Sequence, residues 1–185
     1  DLLAELDQFA ASPSEAVRKA AQGEIDKLTA FDKPLEIAFT AVDGRKVDLK
    51  DLRGKVVLVD FWATWCGPCI AELPNVKKVY ADYHDKGFEV IGITLENPGL
   101  RGKETSAETE TKLAAAKKKM LDFAAKQEMP WPQYFDGKWW KNDYAVKFGI
   151  QSIPAMFLLD KEGRIAATDA RGEKLESEVK RLLGL

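Results

Sequence analysis

The sequence predicts an α/β fold in which a central mixed β-sheet is flanked by helices, with a β-hairpin and a helical extension at its N-terminal side. Two apolar runs, Val56-Val57-Leu58-Val59 and Phe88-Glu89-Val90-Ile91-Gly92-Ile93-Thr94-Leu95, read as buried strands, and each leads toward a segment of helical periodicity. After the second helical segment come two short apolar runs joined through Lys161-Glu162-Gly163. The order strand, helix, strand, helix, hairpin, helix describes a mixed sheet with helices packed on it.

Each element follows from its residues. Leu2, Leu3, Leu6 and Phe9, then Val17, Ala20, Ala21, Ile25 and Leu28, have helical spacing, so residues 1–30 are expected to form a two-part helical extension. Ser12 is placed to cap a helix beginning at Pro13. From Leu35 the period becomes two, and Asp43-Gly44 between Leu35–Phe39 and Arg45–Leu49 signals a hairpin turn. A helical pattern runs from Cys66 through Leu73, Val76, Val79, Tyr80 and Tyr83 and stops at Gly87. Pro74 removes one helical N–H and is expected to kink it.

The stretch 97–111 is polar, rich in Glu, Thr, Lys and Gly, and lacks apolar periodicity. It is expected to be a mobile loop inserted in the domain. A helix over 112–127 carries Leu113, Ala116, Met120, Phe123 and Ala124 on one face. The aromatic cluster Trp131, Tyr134, Phe135, Trp139 and Trp140 reads as core and loop packing in preference to a substrate platform. A short helix from about Asn142 ends at Phe148-Gly149. Strands at Met156–Asp160 and Arg164–Thr168 precede a last helix with Leu175, Val179, Leu182 and Leu183 inward. The domain proper is read as residues 31–185.

The chain has two cysteines, Cys66 and Cys69, where the first buried strand hands over to a helix. A thiol at a first helical turn meets unpaired backbone N–H groups and the positive end of the helix dipole, which favour its thiolate. The second thiol, one turn on, can close a disulfide with it. Such a pair can accept a partner's disulfide through a mixed-disulfide intermediate, which points to thiol-disulfide exchange. A structural disulfide or half a zinc site is the alternative. Zinc generally needs four ligands, and the single histidine, His84, lies far along the helix on its expected surface.

With 185 residues and 45% apolar content the chain can bury one good core. A formal net charge of −2 gives no field for nucleic acid. No apolar stretch approaches the roughly 20 residues of a membrane-spanning helix. The first residues are acidic and amphipathic, unlike a signal sequence, and the absence of an initiating Met suggests a processed product or a recombinantly expressed segment.

Taken with their surroundings, these residues resemble the thioredoxin superfamily. Trp65-Cys66-Gly67-Pro68-Cys69 matches its active-site pentapeptide, Asp60 stands where its buried carboxylate does, Pro74 matches its helix kink, and Ile153-Pro154 matches its cis-proline loop. Leu52-Arg53-Gly54-Lys55, Glu72-Leu73-Pro74, the pre-motif hairpin and the insertion before the next helix are more similar to the TlpA/ResA-like bacterial thiol-disulfide oxidoreductases. The resemblance implies a thioredoxin-like fold and a redox role, with no cofactor beyond the Cys66/Cys69 disulfide. It also implies an extracytoplasmic, periplasm-type location, with a membrane tether outside this chain, and a monomer acting on a protein disulfide and a thiol electron donor.

It further implies the role of each residue. Cys66, exposed at the helix start, attacks. Cys69, buried, resolves the mixed disulfide. Asp60, desolvated and raised in pKa, acts as base toward Cys69 through water. Gly67 and Pro68 leave the Cys66 sulfur accessible to substrate. A cis Pro154 keeps the backbone of Ile153 free to pair with an extended substrate, with Trp65 as a wall of that groove. Trp62 packs beneath the motif, and Glu72 is read as lying on a solvated face. Thioredoxin's lysine partner for the buried Asp has no counterpart in Val90–Ile93. Gly-Pro between the cysteines is the thioredoxin pair, so reduction is the expected direction. A peroxiredoxin would need Pro and Thr at the places held by Val59 and Ala63. A redox-sensing or interaction module is the non-enzymatic alternative.

Overall fold

Residues 2–29 and 32–185 are described by the computed structural model. The chain opens with α1 (Leu2–Ala10) and α2 (Glu15–Thr29), which pack on one another. Among the described residues, neither buried cluster of the fold includes a side chain from these two helices. The expected boundary at 30–31 and the side chain of Leu28 lie outside the described residues. Ser12 does not cap a helix at Pro13. Its Oγ accepts the Ser14 N–H at 3.3 Å, making a local turn, and helix begins only at Glu15.

The hairpin forms as expected. β1 (Ala38–Thr40) and β2 (Lys46–Asp48) pair antiparallel around Gly44, whose φ of 89° suits glycine. The central sheet contains β3 (Val56–Trp62), β4 (Phe88–Thr94), β5 (Gln133–Phe135), β6 (Ala155–Leu159) and β7 (Ile165–Ala167). Its order is β5-β4-β3-β6-β7. The β5, β4 and β3 strands run parallel, while β6 and β7 are antiparallel to their neighbours. The helices are α3 (Gly67–Tyr83), α4 (Ser106–Lys126), α5 (Asp143–Lys147) and α6 (Glu173–Leu183).

Strand alternation separates the two faces of β3, all of whose residues are buried. Val56, Leu58 and Trp62 join a cluster with Cys66 just before α3, Cys69, Leu73 and Val76 from α3, Met120 from α4, and Leu175 and Val179 from α6. Val57, Val59 and Phe61 join the opposite cluster, closed by Ile37 and Leu49 from the hairpin region and Ala145 from α5. By the same alternation Asp60 lies on the α3 face.

The polar insertion is more ordered than its composition suggested. Helix α4 starts at Ser106, inside the expected loop, because Thr105 and Glu108 form a reciprocal capping box. Before it, the Glu104 carboxylate accepts the Arg101 N–H at 2.8 Å and an N–H of Lys112 Nζ at 2.6 Å. The Lys112 ammonium, then the Arg101 amide, hold Glu104 down to about 2.

Candidate active site

The site is built at the junction of β3 and α3. After Trp62 the chain turns tightly, with the Cys66 N–H donating to the Ala63 carbonyl at 3.1 Å, and Cys66 becomes the N-cap of α3. Its Sγ accepts the Cys69 N–H at 3.2 Å, so one of the helix's unpaired donors points at sulfur. Pro68, in the first turn, has no N–H to satisfy. A Cβ placed on Gly67 would meet nothing within 4 Å. Cys66 and Cys69 are joined as a disulfide, with Cα atoms 5.3 Å apart.

Cys66 is not exposed, contrary to expectation. In this disulfide form it is 4% exposed and Cys69 5%, because both sulfurs lie in the cluster of Trp62, Ala63 and Leu73, with Ile153 against it. Exposure therefore does not separate the two thiols; position on the helix does. The Ile153-Pro154 bond is cis, as expected, and both residues are half-buried.

Asp60 is 4% exposed, and among the described residues its carboxyl has no hydrogen-bond or ion-pair partner. Burial, with the nearby Glu72 carboxylate adding to it, pushes Asp60 up from 3.8 to about 7. The absence of a cation on β4 was legible from Val90–Ile93. Glu72 departs from the expected solvated face: it accepts the Gly172 N–H at 2.7 Å and an N–H of Asn75 Nδ2 at 2.6 Å, tying α3 to the segment before α6.

Trp65 is 43% exposed, its Nε1–H donating to the Leu95 carbonyl at 3.0 Å and its ring meeting Trp140 edge-on at 5.9 Å. Trp62 packs beneath the motif, held by Gln133 Oε1 at 2.9 Å and by Phe123. His84 stacks on Tyr80 and faces the Glu89 carboxylate, on the helix surface as expected. Among the described residues no group of His, Cys, Asp and Glu is arranged to hold a metal ion.

Two features were missed. Buried Glu96 accepts both the backbone N–H and the Oγ1–H of Thr64, fastening the turn before Trp65 to the end of β4. An acidic residue closing an apolar strand was the available signal. The aromatic cluster also divides: Trp131 is buried, but Trp139 is 42% exposed and Trp140 flanks Trp65.

A disulfide whose first sulfur caps a helix, with a buried carboxyl on the same face of the sheet and Ile153 of a cis-proline loop packed against its cluster, marks a thiol-disulfide oxidoreductase of thioredoxin-like fold. The Redoxin family matches residues 25–183, and the chain belongs to that family, on its TlpA/ResA-like branch. It is 29% identical over 145 residues to the thiol-disulfide oxidoreductase ResA of Bacillus thuringiensis subsp. konkukian, covering 78% of this chain and 70% of that one. The thioredoxin-like protein YneN of Bacillus subtilis is 32% identical over 130 residues, 70% of this chain and 65% of its own. Among solved structures, the thioredoxin domain of a Bacteroides vulgatus thiol-disulfide oxidoreductase aligns with a TM-score of 0.59 at 26% identity, over 80% of this chain and 94% of that one. A thiol:disulfide interchange protein from a Bacteroides species aligns with a TM-score of 0.59 at 27% identity, over 82% and 90%.

Proposed function

We propose that the protein reduces disulfides in other proteins, with Cys66 as attacking thiol, Cys69 as resolving thiol and Asp60 as the base that serves Cys69. The observation that carries this reading is the pairing of a helix-capping sulfur with a buried carboxyl whose pKa lies near neutrality. In the reduced protein the Cys69 N–H and the start of α3 stabilise a Cys66 thiolate. That thiolate attacks a substrate disulfide, forming one S–S bond and expelling one substrate thiol. Cys69, buried and therefore reluctant to ionise, gives its proton to Asp60 through water. Its thiolate then attacks Cys66, forming the intramolecular disulfide and releasing the second substrate thiol. A thiol donor returns the pair to the dithiol.

Pro154 at the cis bond, the Ile153 backbone and Trp65 form the groove that positions an extended substrate, while Gly67 and Pro68 leave room above the sulfur. The working compartment is the extracytoplasmic space of a bacterium, periplasmic where there is one, and the protein acts as a monomer. Among the described residues no helix is long and apolar enough to cross a membrane.

The test is insulin reduction by the dithiol form. Cys66→Ser abolishes turnover, and Cys69→Ser accumulates a mixed disulfide with substrate that dithiothreitol releases. Full activity in Cys66→Ser, or no trapped species with Cys69→Ser, would overturn the assignment. Equilibration with glutathione decides direction: a potential at the oxidising end of the thioredoxin class rules out a reductant.

A further inference from the structure

Beyond Trp140 the surface opens into a cleft of about 540 Å³ between the segment after β4 and the turn before α5. Its apolar lining includes Pro98, Leu100, Trp139 and Trp140, and its charged lining is Lys138 and Lys141. No carboxylate lines it. Lys138 is paired with Asp143, whereas exposed Lys141 has no ion-pair partner among the described residues.

Two further observations distinguish this cleft from ordinary surface. Trp139 and Leu100 are 42% and 39% exposed, and Trp139 sits at φ 53°, a left-handed backbone that a bulky side chain seldom adopts. The fold holds a large aromatic ring in water at a conformational cost. The cleft also adjoins the reactive centre through one ring: Trp140 lines it and packs edge-on against Trp65, the neighbour of Cys66.

We propose that this cleft is an exosite for an extended polypeptide segment flanking the substrate's reactive cysteine, one carrying large apolar residues interspersed with Asp or Glu. The inference rests on the exchange reaction proposed above and adds a recognition site to it. An apolar substrate side chain covers the exposed Trp139 and Leu100, and acidic residues two positions from it, on the same side of the strand, meet Lys141. An extended strand places alternate side chains on one side, so the segment can lie along Trp65 and Trp140 and turn every second residue into the cleft. Large aromatic anchors such as tryptophan carry a disproportionate share of the energy of polypeptide interfaces, and the charge sets which sequences are accepted. The site therefore selects among disulfides by the sequence around them.

The test uses the full chain and two fluorescein-labelled dodecapeptides in which serine replaces the reactive cysteine, so that binding is read by anisotropy without chemistry. One carries Glu-Ser-Leu-Ser-Asp beside the serine, with Glu, Leu and Asp on one side of the strand; in the other Lys replaces Glu and Asp. The acidic peptide is expected to bind about tenfold more tightly. Lys141→Glu abolishes that preference, and Trp139→Ala weakens both peptides.

Cysteine-bearing versions, prepared as mixed disulfides with thionitrobenzoate, are then reduced by the dithiol form. Two electrons pass from Cys66 and Cys69 to the peptide disulfide, leaving peptide thiol and thionitrobenzoate. Trp139→Ala raises the half-saturating peptide concentration about tenfold, while the limiting rate and the rate with Ellman's reagent stay within twofold. Equal binding of the two peptides, or binding unchanged in both variants, would overturn the proposal. So would a dimer in sedimentation that Trp139→Ala disperses, which would assign the cleft to a second copy. If Ellman's reagent itself is not reduced, the exchange reaction fails while the serine peptides still report on the exosite.

Discussion

Burial, reinforced by the Glu72 carboxylate, holds Asp60 protonated up to about pH 7 against an ordinary value of 3.8. The folded state thus disfavours the charged form. Below pH 3.8 Asp60 imposes no electrostatic penalty on stability. Between 3.8 and about 7 the penalty grows as the unfolded chain ionises and the folded chain does not, and above 7 it is constant. Each pH unit corresponds to about 1.4 kcal/mol, so Asp60→Asn should gain up to about 4 kcal/mol relative to the wild-type chain between pH 4 and pH 8, read by urea unfolding at the two values. A constant difference would mean that Asp60 is ionised in the folded protein. In activity the same substitution removes the rise in insulin-reduction rate as pH passes through 7, with a loss of at least about tenfold at pH 8. An unchanged pH profile would leave Asp60 without a role as base. The sequence exposed Asp60 because a carboxylate in an otherwise apolar strand is conspicuous. It did not expose the link from Glu72 to Gly172, because that link joins residues a hundred positions apart and leaves no local pattern.

Strand β4 shows how one element serves the site without contributing a reacting atom. Gly92 pairs with Asp60 across the parallel register and with Gln133 on its other side. A Cβ at Gly92 would collide with Gln133 Oε1, the atom that accepts the Trp62 indole N–H. A residue larger than glycine there must move the Gln133 side chain. Gly92→Ala should displace Gln133, leave the buried indole N–H unsatisfied and cost about 2 kcal/mol or more, measured as a lower urea midpoint. An unchanged midpoint would show that Gln133 has another place to go. Elements with strong periodicity, such as β3, β4, α3 and α6, were legible because their burial patterns repeat every two or every three to four residues. The start of α4 was not, since its first turn carries no apolar stripe. The Thr105-x-x-Glu108 capping box was the local sign of it, and a capping box leaves no trace in hydrophobic periodicity.

At the scale of the whole molecule, the sheet gathers parts that lie far apart in the chain. Trp65 and Trp140 meet across 75 positions, and the cis-proline loop packs beside a dithiol nearly 90 residues before it. The motif residues announced the chemistry; the aromatic run with Trp139 and Trp140 was conspicuous but read as packing, and its meeting with Pro98 and Leu100 across the cleft left no local pattern. The N-terminal helices stand apart from this assembly. Leu2 and Phe9 of α1 are 59% and 57% exposed, α1 buries no residue, and neither cluster of the domain includes a side chain from α1 or α2 among the described residues. If nearly all apolar burial of the domain is internal to it, removing the extension takes little stabilising area away. A chain beginning at Asp32 should therefore unfold at a urea midpoint within experimental error of the full chain's and reduce insulin at the same rate. The Redoxin match begins at residue 25, inside α2, so a second truncation beginning at Ser14 tests whether that helix matters. If the shorter chain loses stability and the longer one does not, α2 belongs to the domain. Equal midpoints and rates in all three place the redox domain wholly after the extension.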